Sequence, residues 1–300
     1  MPLPAPLPSA DAFDPELWCL FDRYVHGDID RRGFLERAAR FAAAGGTTAA
    51  ALLSALSPDF ARAQKVPPDD ARLRTELVEF ASPAGHGSVR AYVARPASVA
   101  QPLPALLVVH ENRGLNPHIA DIARRLALEN FIAVAPDALF PLGGYPGDED
   151  RARALFAELD PAKTREDFVA AADRARNLPG GNGKLGAIGF CWGGSMVNFL
   201  ATRVSELRAA APFYGDPPPL DRVGRIRAEL VLAFADNDER INAAWPSYEA
   251  ALKSAGVKYE AVRYPGTQHG FNNDTTPRFD AVAAQQAWGR ALALFERTLR

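Results

Sequence analysis

The stretch Gly189-Phe190-Cys191-Trp192-Gly193-Gly194 decides how the rest of this chain is interpreted. It follows an apolar, strand-like run at 184–188 and precedes a helix-like run at 195–201. Glycines around a central cysteine are typical of a sharp strand-to-helix turn, because the turn leaves no room for side chains. Such a turn lifts the cysteine above the sheet edge and aims the free N–H groups of the helix at it, which favours a thiolate. The pattern therefore predicts a nucleophile elbow in which the nucleophile is a cysteine.

Strand-like and helix-like runs alternate on both sides of this elbow. Predicted strands cover 75–80, 89–94, 105–110, 131–135, 185–190, 209–214, 230–235 and 259–264, and predicted helices cover 117–129, 164–177, 194–204, 243–255 and 277–299. Near-continuous apolar strands between helices indicate an α/β fold, with a mostly parallel, doubly wound sheet and helices on both faces. Ligands of such sheets bind beyond the carboxyl ends of the strands. We expect the functional residues there.

An acid and a histidine follow the elbow in the chain order of α/β-hydrolases, which is nucleophile, acid, histidine. His269 lies in a glycine-flanked loop before the last helix, where a neutral imidazole can take the thiol proton. A carboxylate must hold its other ring nitrogen, and Asp236 and Asp238 both follow the same strand. We choose Asp238, because Asp-x-x-Ile after a strand is the usual loop for this acid. The prediction is an α/β-hydrolase fold with a Cys191–Asp238–His269 triad.

The loop after the strand at 105–110 adds further catalytic candidates. An oxyanion hole needs two fixed donors, which we assign to the backbone N–H groups of Trp192 and Asn112. Glu111 begins this loop. A carboxylate beside a thiol opposes thiolate formation, unless it accepts the thiol proton when the substrate arrives. The alternative is that Glu111 forms only a salt bridge with Arg113.

These motifs together resemble the dienelactone hydrolase (carboxymethylenebutenolidase) family. The resemblance covers residues 64–300 and is carried by the elbow and by His110-Glu111-Asn112-Arg113-Gly114, Ala135-Pro136-Asp137, Pro212-Phe213-Tyr214-Gly215, Asp238 and His269-Gly270-Phe271. It implies a Cys–Asp–His triad, a glutamate at position 111 that helps to form the thiolate, and no metal or organic cofactor. The reaction it implies is hydrolysis of a lactone or small carboxylic ester through an acyl-enzyme. The alternative is a non-catalytic α/β-hydrolase fold that binds a ligand.

The residues that would select the substrate depart from the family pattern. Dienelactone enzymes hold the substrate carboxylate with arginines, one of them four residues after the triad histidine, where this chain has Asn273. Arginine forms paired hydrogen bonds with carboxylates, so Arg113 and Arg278 could substitute. A related lactone or ester is therefore as good a substrate hypothesis as dienelactone. The full set of substrate-binding candidates is Arg113, Tyr145, Tyr214, Asn273 and Arg278.

Composition and charge argue against several other classes of protein. The net charge of −2 gives no indication of a nucleic-acid partner. No apolar run reaches the roughly 18 residues of a membrane span. The two cysteines, Cys19 and Cys191, are not spaced for zinc, and a redox role for Cys191 lacks a nearby resolving cysteine. His26, His86 and His118 carry no functional indication, and no two histidines have metal-ligand spacing, so we expect no metal.

The first 63 residues differ from the rest. Asp30-Arg31-Arg32-Gly33-Phe34-Leu35 resembles a twin-arginine export signal, a weakly apolar stretch follows at 41–56, and Ala61-Arg62-Ala63 fits a cleavage site before Gln64. This leader resembles the exported, twin-arginine-headed branch of the family. We expect residues 1–63 to be a signal peptide that the twin-arginine translocase handles, and the mature protein to be periplasmic or secreted. The alternative is a retained amphipathic helix packed on the domain of a cytoplasmic protein.

Overall fold

A single eight-stranded sheet forms the centre of the protein, whose computed structural model describes residues 10–60 and 64–300. Its strands are β1 (Leu73–Ser82), β2 (Gly87–Pro96), β3 (Leu103–Val109), β4 (Ile132–Pro136), β5 (Gly181–Phe190), β6 (Leu207–Phe213), β7 (Glu229–Asn237) and β8 (Tyr259–Gln268). The strand order is β1-β2-β4-β3-β5-β6-β7-β8. The pairs β1–β2 and β2–β4 are antiparallel, and all other neighbours are parallel. The predicted mostly parallel sheet is confirmed.

Helices cover both faces of this sheet. They are α4 (Pro117–Leu128), α5 (Glu149–Glu158), α6 (Pro161–Arg176), α7 (Trp192–Arg203), α8 (Glu239–Asn242), α9 (Trp245–Ala255) and α10 (Ala281–Leu299). Buried side chains of α6, α7 and α9 share one hydrophobic core with the sheet, and those of α4 and α10 share the other. The doubly wound arrangement expected for buried parallel strands is therefore present.

Two helical details differ from the sequence prediction. Sequence reasoning missed α5, although Ala152, Leu155 and Phe156 have helical spacing, because this pattern extends over little more than two turns. The helix predicted at 243–255 corresponds to α9, and the short helix α8 that precedes it was not predicted. α8 begins next to Asp238, whose side chain accepts a hydrogen bond from the Ile241 N–H. That contact starts a helix earlier than hydrophobicity indicates.

The N-terminal segment forms three helices with a core of their own. They are α1 (Pro15–His26), α2 (Arg31–Ala44) and α3 (Ala49–Leu56), and we call residues 15–56 the helical cap. Its core contains Trp18, Phe21 and Tyr24 of α1 and the fully buried Phe34 of α2. The helical cap covers the carboxyl end of the sheet through contacts described below. In the part of the chain that the structure describes, no helix combines the length and apolarity needed to cross a membrane.

The segment after the helical cap runs along α4. Val66 N–H donates to Asp121 at 2.8 Å, Arg124 donates to the Val66 carbonyl at 2.6 Å, and Lys65 pairs with Asp274 at 2.7 Å. This segment is therefore fixed to the domain. The predicted cleavage motif at 61–63 lies outside the described residues.

Candidate active site

Backbone geometry at Cys191 is that of a tight elbow between β5 and α7. The residue has φ 57° and ψ −118°, a conformation that non-glycine residues adopt only when the surrounding structure enforces it. A Cβ on Gly189 would lie 2.2 Å from the Gly193 carbonyl oxygen, and one on Gly193 would lie 2.3 Å from the Val109 carbonyl oxygen. Both positions therefore require glycine, because the backbone atoms they meet cannot move aside.

The structure brings Asp238, and not Asp236, to the histidine of the predicted triad. His269 Nδ1 lies 2.6 Å from Asp238 Oδ2, and both side chains are buried. Asp236 faces the other way, where it accepts a hydrogen bond from Gly266 N–H at 3.0 Å and lies 3.8 Å from Arg263. The imidazole can therefore be held by a carboxylate in the tautomer that leaves Nε2 free for proton transfer.

Two histidines surround the Cys191 thiol. Sγ and one ring nitrogen each of His26 and His269 all lie within 4.8 Å of one another. His26 Nε2 is 3.7 Å from Sγ, and His269 Nε2 is buried without a hydrogen-bond partner among the described residues. Burial opposes a thiolate, but the charge of His269 and the 3.7 Å contact with His26 outweigh it and lower the pKa of Cys191 to about 6. This environment favours a nucleophilic thiolate at neutral pH.

Glu111 lies in the cavity beside the thiol but is held by an amide. Asn273 Nδ2 donates to Glu111 Oε2 at 3.1 Å. The Thr275 N–H and hydroxyl both donate to Asn273 Oδ1, which fixes the amide in that orientation. His110 orders the loop that carries Glu111, because its Nδ1 donates to the Glu111 carbonyl while Nε2 accepts from the Ala138 N–H. Burial lowers the pKa of His110, as expected for this neutral imidazole.

The two predicted oxyanion donors lie in the first turn of α7 and in the loop after β3. Trp192 is in the first turn of α7, where backbone N–H groups have no intrahelical acceptor. Its ring stacks on the His110 imidazole with 5.4 Å between the ring centroids, so the side chain packs under the elbow. The Asn112 side chain donates to the Val25 carbonyl of α1 at 3.0 Å, which ties the second donor's residue to the helical cap.

Both candidate arginines already have acidic partners. Arg113 lies 3.6 Å from Glu149 of α5 and forms its salt bridge with this residue rather than with Glu111. It also donates a hydrogen bond to Asn112 Oδ1 at 2.5 Å. Burial raises the pKa of Glu149 to about 7, although Arg113 acts against this rise. Arg278 donates to the His269 carbonyl at 3.1 Å and lies 3.4 Å from Asp22 of α1. Both arginines therefore form contacts within the protein that position neighbouring parts of the site.

Of the remaining substrate-binding candidates, two line the cavity beside the thiol and one packs behind the triad histidine. Tyr145 lines the cavity over the thiol and donates to Glu149 at 3.0 Å. Tyr214 is buried behind the histidine, with its ring 4.9 Å from that of His269, and does not belong to the described lining of that cavity. Asn273 lines the same cavity.

Two cavities meet at Cys191. The inner one has a volume of about 320 Å³, and the helical cap contributes Phe21, Tyr24, Val25 and Leu56 to its wall. The outer one is an open groove of about 870 Å³ whose lining includes Trp192 and several arginines. A compact ligand in the inner cavity would lie directly against Sγ, which is typical of a small-molecule site.

The same three atoms around the thiol could hold a metal ion. A thiolate and two neutral imidazoles are three of the ligands found in tetrahedral zinc sites. Sequence spacing argued against a histidine metal site, but the fold brings His26 and His269 together across Cys191. Zinc bound there would occupy the lone pair of Sγ and thereby block the nucleophile.

Sequence reasoning missed His26. The residue ends α1, and its pairing with Asp22 four positions earlier is a spacing that one helix face brings together. That local signal is weak, because many helices carry such pairs. The contact of His26 with Cys191 joins residues 165 positions apart, which no local pattern reveals.

Comparisons with known proteins agree with this geometry. The family model described as the dienelactone hydrolase family matches residues 89–299, and a second model, described as YqhI-like, matches residues 6–43. A putative carboxymethylenebutenolidase of Escherichia coli (strain K12) is 32% identical over 246 residues, covering 77% of this chain and 89% of that protein. The putative hydrolase fragment YghX of the same organism is 48% identical over 114 residues, covering 38% of this chain and 97% of the fragment.

Solved structures give the same result. The crystal structure of a putative dienelactone hydrolase from Klebsiella pneumoniae superposes with a TM-score of 0.66 at 31% sequence identity. The match covers 75% of this chain and 99% of that one. The strand order, the elbow and the family model lead to one conclusion: this chain belongs to the dienelactone hydrolase family and has its α/β-hydrolase fold.

Proposed function

We propose that this protein hydrolyses a lactone or small carboxylic ester with Cys191 as the nucleophile. The observation that carries the proposal is the thiol at a strained elbow, beside a buried His269–Asp238 pair with a 2.6 Å contact. Family membership supports the hydrolase class. A fold alone does not give a reaction, so the alternative is a ligand-binding protein that has lost catalysis. The cavity and the activated thiol favour the enzyme.

The proposed reaction has two halves. The Cys191 thiolate attacks the carbonyl carbon, and the N–H groups of Trp192 and Asn112 donate to the resulting oxyanion. Despite burial, the Cys191 thiolate and the Asp238 carboxylate raise the pKa of His269, so this imidazole is protonated when the reaction begins. The tetrahedral intermediate collapses to a thioester, and the departing alkoxide takes the proton from His269 Nε2, which leaves the imidazole neutral. His269 then accepts a proton from water, whose oxygen attacks the thioester carbon. Collapse of this second intermediate releases the carboxylate and restores the thiolate.

The role proposed for Glu111 requires it to change partners. The family resemblance implies that this carboxylate accepts the thiol proton when the substrate arrives. In the unliganded protein, Asn273 holds it at 3.1 Å. A substrate that displaces the amide would free Glu111 to take the proton from the fraction of Cys191 that is still a thiol. Glu111→Gln tests this role through the thiolate fraction in the presence of substrate.

The charge pairing in the cavity supports an uncharged substrate. Arg113 faces Glu149 and Arg278 faces Asp22, so a substrate carboxylate would have to displace an existing ion pair. We propose a compact, neutral lactone or ester. Two lactones of equal ring size, one of which carries a carboxylate, test this, and we expect the neutral one to have the higher kcat/KM.

Location is a separate proposal that rests on the sequence motif. The twin-arginine motif supports export of a folded protein to the periplasm through the translocase. Arg31 of this motif pairs with Asp150 of the domain at 2.7 Å, which supports retention of the leader as a folded segment. Cell fractionation and N-terminal sequencing of the protein from its host test both points. Export with cleavage predicts a periplasmic chain that starts at Gln64.

The test of the activity is a screen of small aryl esters and cyclic lactones. We expect measurable turnover by the wild-type protein and none by a folded Cys191→Ala variant. Ligand binding without turnover would support the non-catalytic alternative. Normal turnover by Cys191→Ala would refute the role of the thiol.

A further inference from the structure

The helical cap places a histidine on the catalytic thiol. α1 ends at His26, and Gly27 with φ 89° then turns the chain away from the site. This leaves His26 Nε2 3.7 Å from Cys191 Sγ, and its ring 5.0 Å from the ring of His269. The thiol therefore lies between the triad histidine and a second histidine from a different part of the chain.

His26 is held by Asp22, through the backbone carbonyl rather than through the carboxylate contact that holds the triad histidine. Its Nδ1 donates to the Asp22 carbonyl oxygen at 2.8 Å and lies 3.3 Å from Asp22 Oδ2. Asp22 is in turn 3.4 Å from Arg278, which donates to the His269 carbonyl. With Nδ1 occupied as a donor, Nε2 is the atom that can exchange a proton with Sγ.

Contacts along the C-terminal half of α1 keep His26 in this position. The Val25 carbonyl accepts hydrogen bonds from the side chains of Asn112 at 3.0 Å and Arg113 at 3.3 Å. Tyr24 donates to Asp150 of α5. The guanidinium of Arg278 lies 4.8 Å from the Phe21 ring. The helical cap is thus docked through the residues next to His26.

We propose that His26 is a second catalytic histidine, which accepts the Cys191 proton before any substrate binds and so maintains a resting thiolate. The proton moves from Sγ to Nε2, and the Nδ1–H continues to donate to the Asp22 carbonyl. No electron or further reactant is needed. The proposal rests on the proposed role of Cys191 as the nucleophile, and it gives the helical cap a part in the chemistry.

The charges around His26 agree with this direction of proton transfer. Burial opposes its charge, but the hydrogen bonds with Asp22 and Cys191 outweigh burial and raise the pKa of His26 to about 9. Two cationic neighbours act against protonation, Arg240 and His269. Arg240 Nη2 donates a hydrogen bond to Nε2 at 3.2 Å, so this exposed guanidinium must turn away when Nε2 takes the thiol proton. Both cations also stabilise the neighbouring thiolate, so they oppose one half of the ion pair while favouring the other.

Cleavage of the chain before Gln64 would remove the helical cap. Removal of residues 1–63 would take away His26, Asp22 and one wall of the inner cavity. We therefore infer that the active enzyme keeps its helical cap. The match of residues 6–43 to a family model of their own supports a folded segment here.

The test is the pH dependence of iodoacetamide labelling in the full chain without substrate, followed by mass spectrometry of the Cys191 peptide. A Cys19→Ser background removes the exposed second thiol. We expect a wild-type labelling midpoint near the Cys191 pKa of about 6. His26→Gln should raise the midpoint by about one pH unit or more and lower labelling at that pH about fivefold.

Two control variants separate His26 from general damage. His86→Gln removes a comparable histidine–aspartate contact, 2.6 Å to Asp167, on the hairpin away from the site, and should leave the midpoint unchanged. Tyr24→Phe removes one anchor of the helical cap and keeps His26. An unchanged midpoint in folded His26→Gln, or an equal shift in Tyr24→Phe, would overturn the proposal. Because labelling needs no substrate, failure of the ester screen would refute the proposed hydrolysis and leave this result standing.

Discussion

Replacing Asp238 by asparagine should disable the site while its neighbour Asp236 tolerates the same change. The carboxylate of Asp238 lies 2.6 Å from His269 Nδ1, and both residues are 5% exposed. An amide in this place removes the charge that stabilises the imidazolium. It also allows the wrong tautomer, in which Nε2 carries the proton and cannot act as a base.

The size of the loss follows from the burial of the pair. Removing one partner of a buried ion pair costs about 3–5 kcal/mol. Each 1.36 kcal/mol corresponds to a tenfold change in rate, so kcat/KM should fall by about 10²–10⁴. Asp236 is partly exposed and pairs with Arg263 only at 3.8 Å, so Asp236→Asn should cost less than about fivefold.

Steady-state kinetics with the best aryl ester, together with thermal melting of both variants, measures this difference. The two substitutions are chemically identical and lie two residues apart, so a nonspecific effect on the loop should appear in both. Equal losses, or a larger loss in Asp236→Asn, would refute the assignment of the acid. A lowered melting temperature in Asp238→Asn with unchanged turnover would have the same consequence.

Three further outcomes follow from the geometry. Gly193→Ala should lower the free energy of unfolding, measured by chemical denaturation, by about 3 kcal/mol, because the new Cβ would lie 2.3 Å from the Val109 carbonyl oxygen. Gly224→Ala is the control, because its Cβ would meet no atom within 4 Å, and it should leave the free energy of unfolding unchanged. Zn²⁺ should inhibit ester hydrolysis reversibly. If a ring nitrogen of His26 is a zinc ligand, His26→Gln should raise the inhibitory Zn²⁺ concentration about tenfold or more. Equal inhibition of the wild-type protein and His26→Gln would exclude His26 as a ligand. Glu111→Gln should lower the reactive thiolate fraction in the presence of substrate without changing the melting temperature much, and an unchanged rate would show that Glu111 has no part in proton transfer.

The fold could be predicted from sequence because its signals are local. β5, the glycines of the elbow and α7 follow one another within about twenty residues, and steric crowding in a tight turn dictates that order. Parallel strands are buried on both faces, so their apolar runs are visible without knowledge of their neighbours. The prediction omitted α5 because its apolar pattern extends over little more than two turns.

The electrostatic partners in the site could not be predicted in this way. The sequence suggested Arg113 as the salt-bridge partner of Glu111, but Arg113 pairs with Glu149. Glu111 accepts a hydrogen bond from Asn273 instead. His26 reaches Cys191 only because α1 docks on the loop that contains Asn112. Such pairings depend on how separate elements pack, and side chains of one charge have many possible partners in a linear sequence.

The central claim is that Cys191 forms an acyl-enzyme during ester or lactone hydrolysis. Rapid acid quenching of wild-type protein with an activated aryl ester, followed by intact and peptide mass spectrometry, tests it most directly. We expect a transient mass increase equal to one acyl group, located on Cys191, that decays at the rate of turnover and is absent in Cys191→Ala. Steady hydrolysis without an adduct on Cys191, or an adduct on another residue that forms and decays at the rate of turnover, would contradict the claim.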